Sequence, residues 1–283
     1  MATDLLAVAN RSLIRLGAKK IVSLDEDSDR ARACQSEAIP CRQETLRAHP
    51  WNFARKRARL STYPAANLAP DANAVTVGAT STFTASAGVF LLTGQDVGCR
   101  IIGNSGVARI STVADAQHAD AVIETAFADT LSIATESWRI APAWGWDFRY
   151  SKPVDYLRLV EMQGLSIKGI GASILWTWWR DLNNAPEPVK IEDQFLVSNI
   201  GGKIDIAYTR DVDDLALWDS LATNALVALL AFQICYAVTG SLQASKTQHD
   251  AYKEALAEAR TINGQEGTAD DSGSDILLAV RMM

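Results

Sequence analysis

The 283-residue chain is expected to be α+β, mainly an α-helical bundle core with short β-strands and an inserted small all-β domain. Three observations carry that expectation. Residues 208–240 run into a long, almost wholly apolar helix. Apolar residues recur at helical spacing near both ends of the chain. Between them, 74–140 breaks into short β-prone runs separated by turn residues. The expected organisation is a discontinuous helical core at 1–70 and 141–264, a β domain at 71–140 between its halves, and a tail at 265–283 with an apolar docking tip.

Thr3 can cap a first helix, with Leu6, Ala9, Leu13 and Leu16 on one face and Gly17 as its stop. The acidic run Leu24-Asp25-Glu26-Asp27-Ser28-Asp29 has the alternating aspartates of a calcium loop. Arg30 stands where the glycine is needed and Ser36 where the bidentate glutamate belongs, so the run reads as the charged start of a second helix. Ala31, Cys34, Ala38 and Cys41 share a face of that helix, and Pro40 should kink or divide it. From Phe53 the chain alternates as a strand, placing Arg55, Arg57 and Arg59 on one side as candidates for contact with an acidic partner. Residues 63–70 read as a linker rich in Pro, Ala and Asn.

In the β-prone region the expected strands are 83–85, 89–92, 97–102, 107–113, 121–127 and 137–140, with Gly103-Asn104-Ser105-Gly106 as one turn. His118 has no acid or nucleophile that the sequence pairs with it, and reads as a surface residue. Trp144, Trp146, Phe148 and Tyr150 alternate as one strand face. Further strands are expected at 156–160, 174–179, 189–191, 195–197 and 203–208. Gly169-Ile170-Gly171 lacks the rest of a phosphate-binding fingerprint.

The long helix follows. Asp211 or Asp213 can cap it, and Asp213, Asp214 and Asp219 favour its positive end. Gly240 stops it. A helix apolar nearly all round needs cover on several sides, from its own chain or from neighbouring subunits. Trp218, Leu221, Leu226, Leu229, Leu230, Phe232 and Tyr236 are therefore candidates for subunit packing. The stretch is long enough to span a membrane. Asn224 and Gln233 inside it, Asp219 at its mouth and the lack of a flanking basic cluster favour a buried helix and no membrane contact. A last helix begins near Ser241, with Leu242, His249, Tyr252, Leu256, Ala259 and Ile262 as its stripe, and pairs back on the long helix. Residues 264–274 are rich in Gly, Asp and Ser and precede the apolar tip 275–283, which suits docking on a partner by strand addition or in a groove.

The net charge of −6 and the absence of a dense basic stripe disfavour a grip on the nucleic-acid backbone. No basic, apolar leader opens the chain. The four cysteines are scattered; Cys34 and Cys41, two helical turns and roughly 10 Å apart, lie beyond disulfide reach. Neither metal-ligand spacing nor a cofactor fingerprint is present, and no catalytic motif can be assembled locally. The expectation is a structural or binding protein without cofactor or metal. The competing reading is an enzyme, such as a cell-wall hydrolase, with a site converging from distant positions.

Three blocks together resemble the head-to-tail adaptor (connector) family of tailed phages, the group of the tail tubular protein A of short-tailed phages. The first is Asn10-Arg11-Ser12-Leu13-Ile14-Arg15-Leu16-Gly17-Ala18 with 21–33. The second is Leu46-Arg47-Ala48-His49-Pro50-Trp51-Asn52-Phe53-Ala54 with Tyr150-Ser151-Lys152-Pro153-Val154-Asp155-Tyr156-Leu157-Arg158. The third runs from Tyr208-Thr209-Arg210-Asp211 through Leu217-Trp218-Asp219 to Thr239-Gly240. The resemblance covers about sixty N-terminal residues and most of the chain after Tyr150; 75–140 departs from the shortest members. It implies a dodecameric ring of stacked helical bundles in the virion neck, assembled in the host bacterial cytoplasm. Such a ring joins the portal to the tail nozzle or stopper and lets DNA pass through its channel without sequence-specific binding. With that resemblance, Ile276, Leu277, Leu278, Val280, Met282 and Met283 become candidates for portal contact, and the β domain is expected at the ring's periphery, as a support for tail fibres.

Overall fold

The structure, a computed structural model, describes residues 4–92, 94–163 and 189–266. Helices among them are α1 (Leu5–Arg15), α2 (Asp29–Ala48), α3 (Ser220–Thr239) and α4 (Leu242–Glu266). Strands are β1 (Arg55–Leu60), β2 (Leu68–Pro70), β3 (Thr80–Ala85), β4 (Arg100–Gly103), β5 (Gly106–Val113), β6 (His118–Thr125), β7 (Trp138–Ala141), β8 (Phe148–Ser151), β9 (Tyr156–Gln163), β10 (Val189–Glu192), β11 (Phe195–Ser198) and β12 (Ile204–Arg210). The chain divides into two compact units. One is Met1–Arg57 with Val154–Glu161 and Ala207–Met283; the other is Ala58–Pro153 with Met162–Ile206.

The first unit contains all four described helices. The Asp4 carboxylate accepts the Ala7 N–H at 2.7 Å and caps α1. Ser28 caps α2 in the same way. α3 starts after Asp219, whose carboxylate accepts from Leu221 and Ala222, and ends at Gly240 in the left-handed region (φ +66°). α3 has no polar face, and its buried side chains include Leu226, Val227, Leu229, Leu230 and Ile234. They share one core with Val8, Leu13, Cys34, Cys41, Leu46, Trp51, Trp218, Leu256 and Ala259. Each large side chain moved from water to such a core contributes about 1.5–3 kcal/mol, which is why these helices hold together. The strands β1, β12 and β9 pair in that order.

The second unit is built from antiparallel strands. Its six-stranded sheet has the order β2-β3-β6-β5-β4-β7, and a smaller one the order β10-β11-β8. Alternating residues of β2 to β7 give a separate core of Leu68, Phe83, Ile101, Ile110, Ile123, Trp138 and Ile140. Asn104 and Ser105 (φ +46° and +62°) make the two-residue turn between β4 and β5. At Gly106 a Cβ would lie 2.3 Å from the Phe127 ring, so a side chain is excluded.

Several expectations are corrected. The fold is mixed, not a helical bundle core. Among the described residues helix makes up 36% and strand 28%, and the strands form three sheets, one of them a curled half-barrel. Short apolar runs scored singly look like trimmings on a helical protein, whereas paired they form whole layers with their own core. The expected insertion 71–140 holds β3 to β6 and most of β7. The unit around it begins at Ala58 and takes in β2, which pairs with β3, and the sheet of β8, β10 and β11. The end of the expected linker 63–70, Leu68–Pro70, is thus strand, and 89–92 is not strand. α2 runs through Pro40 as one helix, because residue 40 and the Ser36 carbonyl left without its amide partner face solvent. The cap of α3 is Asp219 rather than Asp211 or Asp213; Asp214 caps a short 3-10 turn at Leu215–Leu217. β8 begins only at Phe148, and Trp144 is 84% exposed. The strand expected at 174–179 and Gly169-Ile170-Gly171 lie outside the described residues.

Candidate functional site

Within the first unit, polar side chains from distant parts of the chain meet where β12 leaves the sheet. The Asp155 carboxylate accepts the Tyr208 hydroxyl at 2.7 Å and the Lys56 ammonium at 2.8 Å, and its backbone carbonyl accepts the Asp211 N–H at 2.7 Å. Asp211 in turn accepts from Arg42 (3.0 Å) and Gln43 (2.9 Å), both on α2. Burial works against the charge of Asp155, but the Tyr208 and Lys56 hydrogen bonds outweigh it and hold the carboxyl below its usual range. Burial, then the bond to Asp155, raises the Tyr208 phenol. The hydrogen bond to Asp155 likewise raises Lys56. The shifts keep Asp155 and Lys56 charged and Tyr208 a neutral hydrogen-bond donor, fixing each group in one protonation state. A cluster with that property fastens chain segments together.

A second fastening joins α1 to α3. The Ser12 hydroxyl lies 2.9 Å from the Val227 carbonyl and 3.0 Å from that of Val8, with Ser12 fully buried. Asn10 brackets Ile21 through both its amide oxygen (2.8 Å) and nitrogen (3.0 Å). A third is aromatic. Trp51 stacks on Phe53 and Phe53 packs on Trp218, with centroids 5.9 and 5.3 Å apart, while the two indoles donate to the carbonyls of Thr45 and Val212.

The residues singled out from sequence fall in different places. Arg55 pairs with Glu161 at 2.6 Å and Arg59 grips Asp205 with two bonds of 2.7 and 2.8 Å. Arg57 is exposed, and no hydrogen bond or ion pair is found for it among the described residues. Of the three arginines, it alone has no acidic partner among the described residues. Leu226, Leu229 and Leu230 are at most 1% exposed, enclosed by the chain's own helices, so they have no surface to offer a neighbouring subunit. That corrects their reading as subunit-packing residues. Trp218 is also buried, Leu221 and Phe232 are half-buried, and Tyr236 is 59% exposed. The portal-contact candidates Ile276, Leu277, Leu278, Val280, Met282 and Met283 lie outside the described residues.

α3 is long and apolar enough to cross a membrane by length and composition, and 61% of its most apolar 18-residue window is buried inside the protein. All four cysteines are free and buried; burial pushes the Cys34 thiol up to about 11 and Cys41 to about 12. His118 does have an acid beside it. Asp115 sits 2.8 Å from its Nδ1, within one turn of chain, a pairing that residue spacing alone should have raised. Among the described residues no group of three or more His, Cys, Asp and Glu could hold a metal ion. The Lys56–Asp155–Tyr208 and Arg42–Asp211 fastenings had no signal in a single sequence, since polar side chains 53 to 169 residues apart have countless possible pairings. No family model matches the chain, and no curated protein matches it.

Proposed function

We propose that the chain is a structural virion protein, a head-to-tail adaptor of a tailed phage. It forms a homo-oligomeric ring, a dodecamer in the family it resembles, between the portal and the tail nozzle or stopper. The observation that carries the proposal is the convergence of the three resembling blocks. Ser12 of the first block bonds Val227 of the third, Phe53 of the second packs on Trp218 of the third, and Asp155 of the second holds Tyr208 and Asp211 of the third. Segments scattered through the sequence thus act as one fastened body, as a shared family scaffold requires.

In this reading the buried leucines of α3 stabilise the subunit itself. Contacts between copies use exposed apolar side chains of the same unit, Ile14, Ile39, Tyr236 and Leu242, at 50–69% exposure. Arg57 is open to an acidic surface of a neighbour, and the tail tip reaches the portal. The acidic net charge keeps a DNA conduit from binding its cargo tightly. The second unit supports tail fibres at the periphery. The test is a phage carrying a nonsense mutation in this gene, grown on a non-suppressing host. The expected product is DNA-filled or DNA-leaking heads without tails; complete, infectious particles would refute the proposal.

A further inference from the structure

We propose that His49 is a proton-sensitive latch that holds the last turns of α4 in place. The ring is half-buried just after α2, in T-shaped contact with Trp51 at 4.9 Å. Its Nε2 lies 2.9 Å from the side-chain nitrogen of Asn263, which is 6% exposed on α4. The other contacts of Asn263 settle which atom donates. Its Oδ1 accepts the backbone N–H of Asn52 at 3.1 Å, and its backbone carbonyl accepts the Asn52 side-chain amide at 3.1 Å. With Oδ1 so engaged, the atom facing His49 is the NH2 group, a donor. Nε2 must therefore be a bare acceptor, and the neutral ring carries its proton on Nδ1.

Protonation converts the acceptor into a donor, so two N–H groups confront each other inside a partly buried contact. The charged groups facing the ring make this worse. Arg260 on α4 donates to the Ala48 carbonyl at 2.9 Å, and Arg158 on β9 donates to the Arg47 carbonyl at 3.1 Å. Both cap the carbonyl end of α2, both are positive, and both stand beside the imidazole. Burial first, then Arg260 and Arg158, lower the affinity of His49 for a proton. A group whose folded affinity is depressed supports the folded contact above its ordinary pKa of about 6.5, and that support fades as pH falls through the lower, folded value. The contact that fails is the one tying Asn263, and with it the end of α4 at Glu266, to the segment after α2. Mild acid therefore loosens the last turns of α4.

The test uses the full-length protein with 15N-labelled histidine, the three rings being assigned by His→Gln variants. At pH 8, His49 is expected as the Nδ1–H tautomer. Between pH 8 and pH 5 the amides of 259–266 should exchange about tenfold faster after correction for intrinsic rates, the scale of one buried hydrogen bond turned repulsive. His49→Gln keeps an acceptor without a titration and should remove that acceleration. Asn263→Asp places an acceptor opposite Nε2, so His49 should gain proton affinity and the same amides should exchange more slowly at pH 5 than at pH 8. An Nε2–H tautomer at pH 8, or the same acid loosening in His49→Gln, overturns the proposal. Should Asn263→Asp fail to fold, those two readings decide it without that variant.

Discussion

Replacing Leu226 by alanine should unfold the helical unit far more easily, although the substitution lies on a helix that looks, in sequence, made for a partner. Leu226 is 0% exposed within the single chain. The change removes three carbon atoms' worth of apolar burial, about 2.4 kcal/mol at ~0.8 kcal/mol each, and leaves a cavity that its neighbours on other helices cannot fully fill. The expected loss is about 3 kcal/mol, within the ~2–5 kcal/mol range of such truncations. Alanine itself favours helix, so the backbone does not add to the loss. Tyr236→Ala, on the same helix but at a side chain 59% exposed, should cost less than about 1 kcal/mol in the isolated chain. Urea unfolding followed by circular dichroism at 222 nm is the assay, since every described helix belongs to the first unit and the signal reports that unit. Equal, small losses for the two variants would refute the claim that α3 is enclosed by its own chain.

Three further outcomes follow from the same geometry. Asp96→Ala strands the Arg149 guanidinium, 2.6 Å away and 8% exposed, without its anion; the second unit should lose about 3–5 kcal/mol, read by proteolysis of 58–153, and unchanged resistance would show the pair to be dispensable. Asp155, held below the usual carboxylate range, stabilises the first unit fully above about pH 4 and loses that contribution as pH falls through its lowered value. The stability gap between the natural chain and Asp155→Asn should therefore close on acidification below about pH 4; a gap that stays constant would count against the Lys56–Asp155–Tyr208 fastening. Removing residues from Gly267 onward should leave the melting of the first unit unchanged and abolish portal binding. Retained binding would rule out the tail tip as the portal contact.

Local pattern and global pairing were legible to different degrees. The buried face Ala31–Cys34–Ala38–Cys41, the Gly240 stop and the Gly103-Asn104-Ser105-Gly106 turn were readable because each depends on residues within a few positions of one another. The sheets were not. β12 pairs with β1 and β9 from distant parts of the chain, and short strands carry too little apolar pattern to announce their partners. The same distance hid the contacts of Asp155 and Asp211 and of His49 with Asn263. α3 misled in another way. An all-round apolar helix says that it must be covered but not by what, and α1, α2 and α4 proved sufficient for Leu226, Leu229 and Leu230.

Native mass spectrometry of the purified chain, alone and mixed with the portal ring encoded beside it, tests the adaptor reading most directly. The expected result is a complex with one fixed multiple of this chain on each portal ring, even if the free chain is a monomer. A monomer that leaves the portal mass unchanged at every ratio would contradict it.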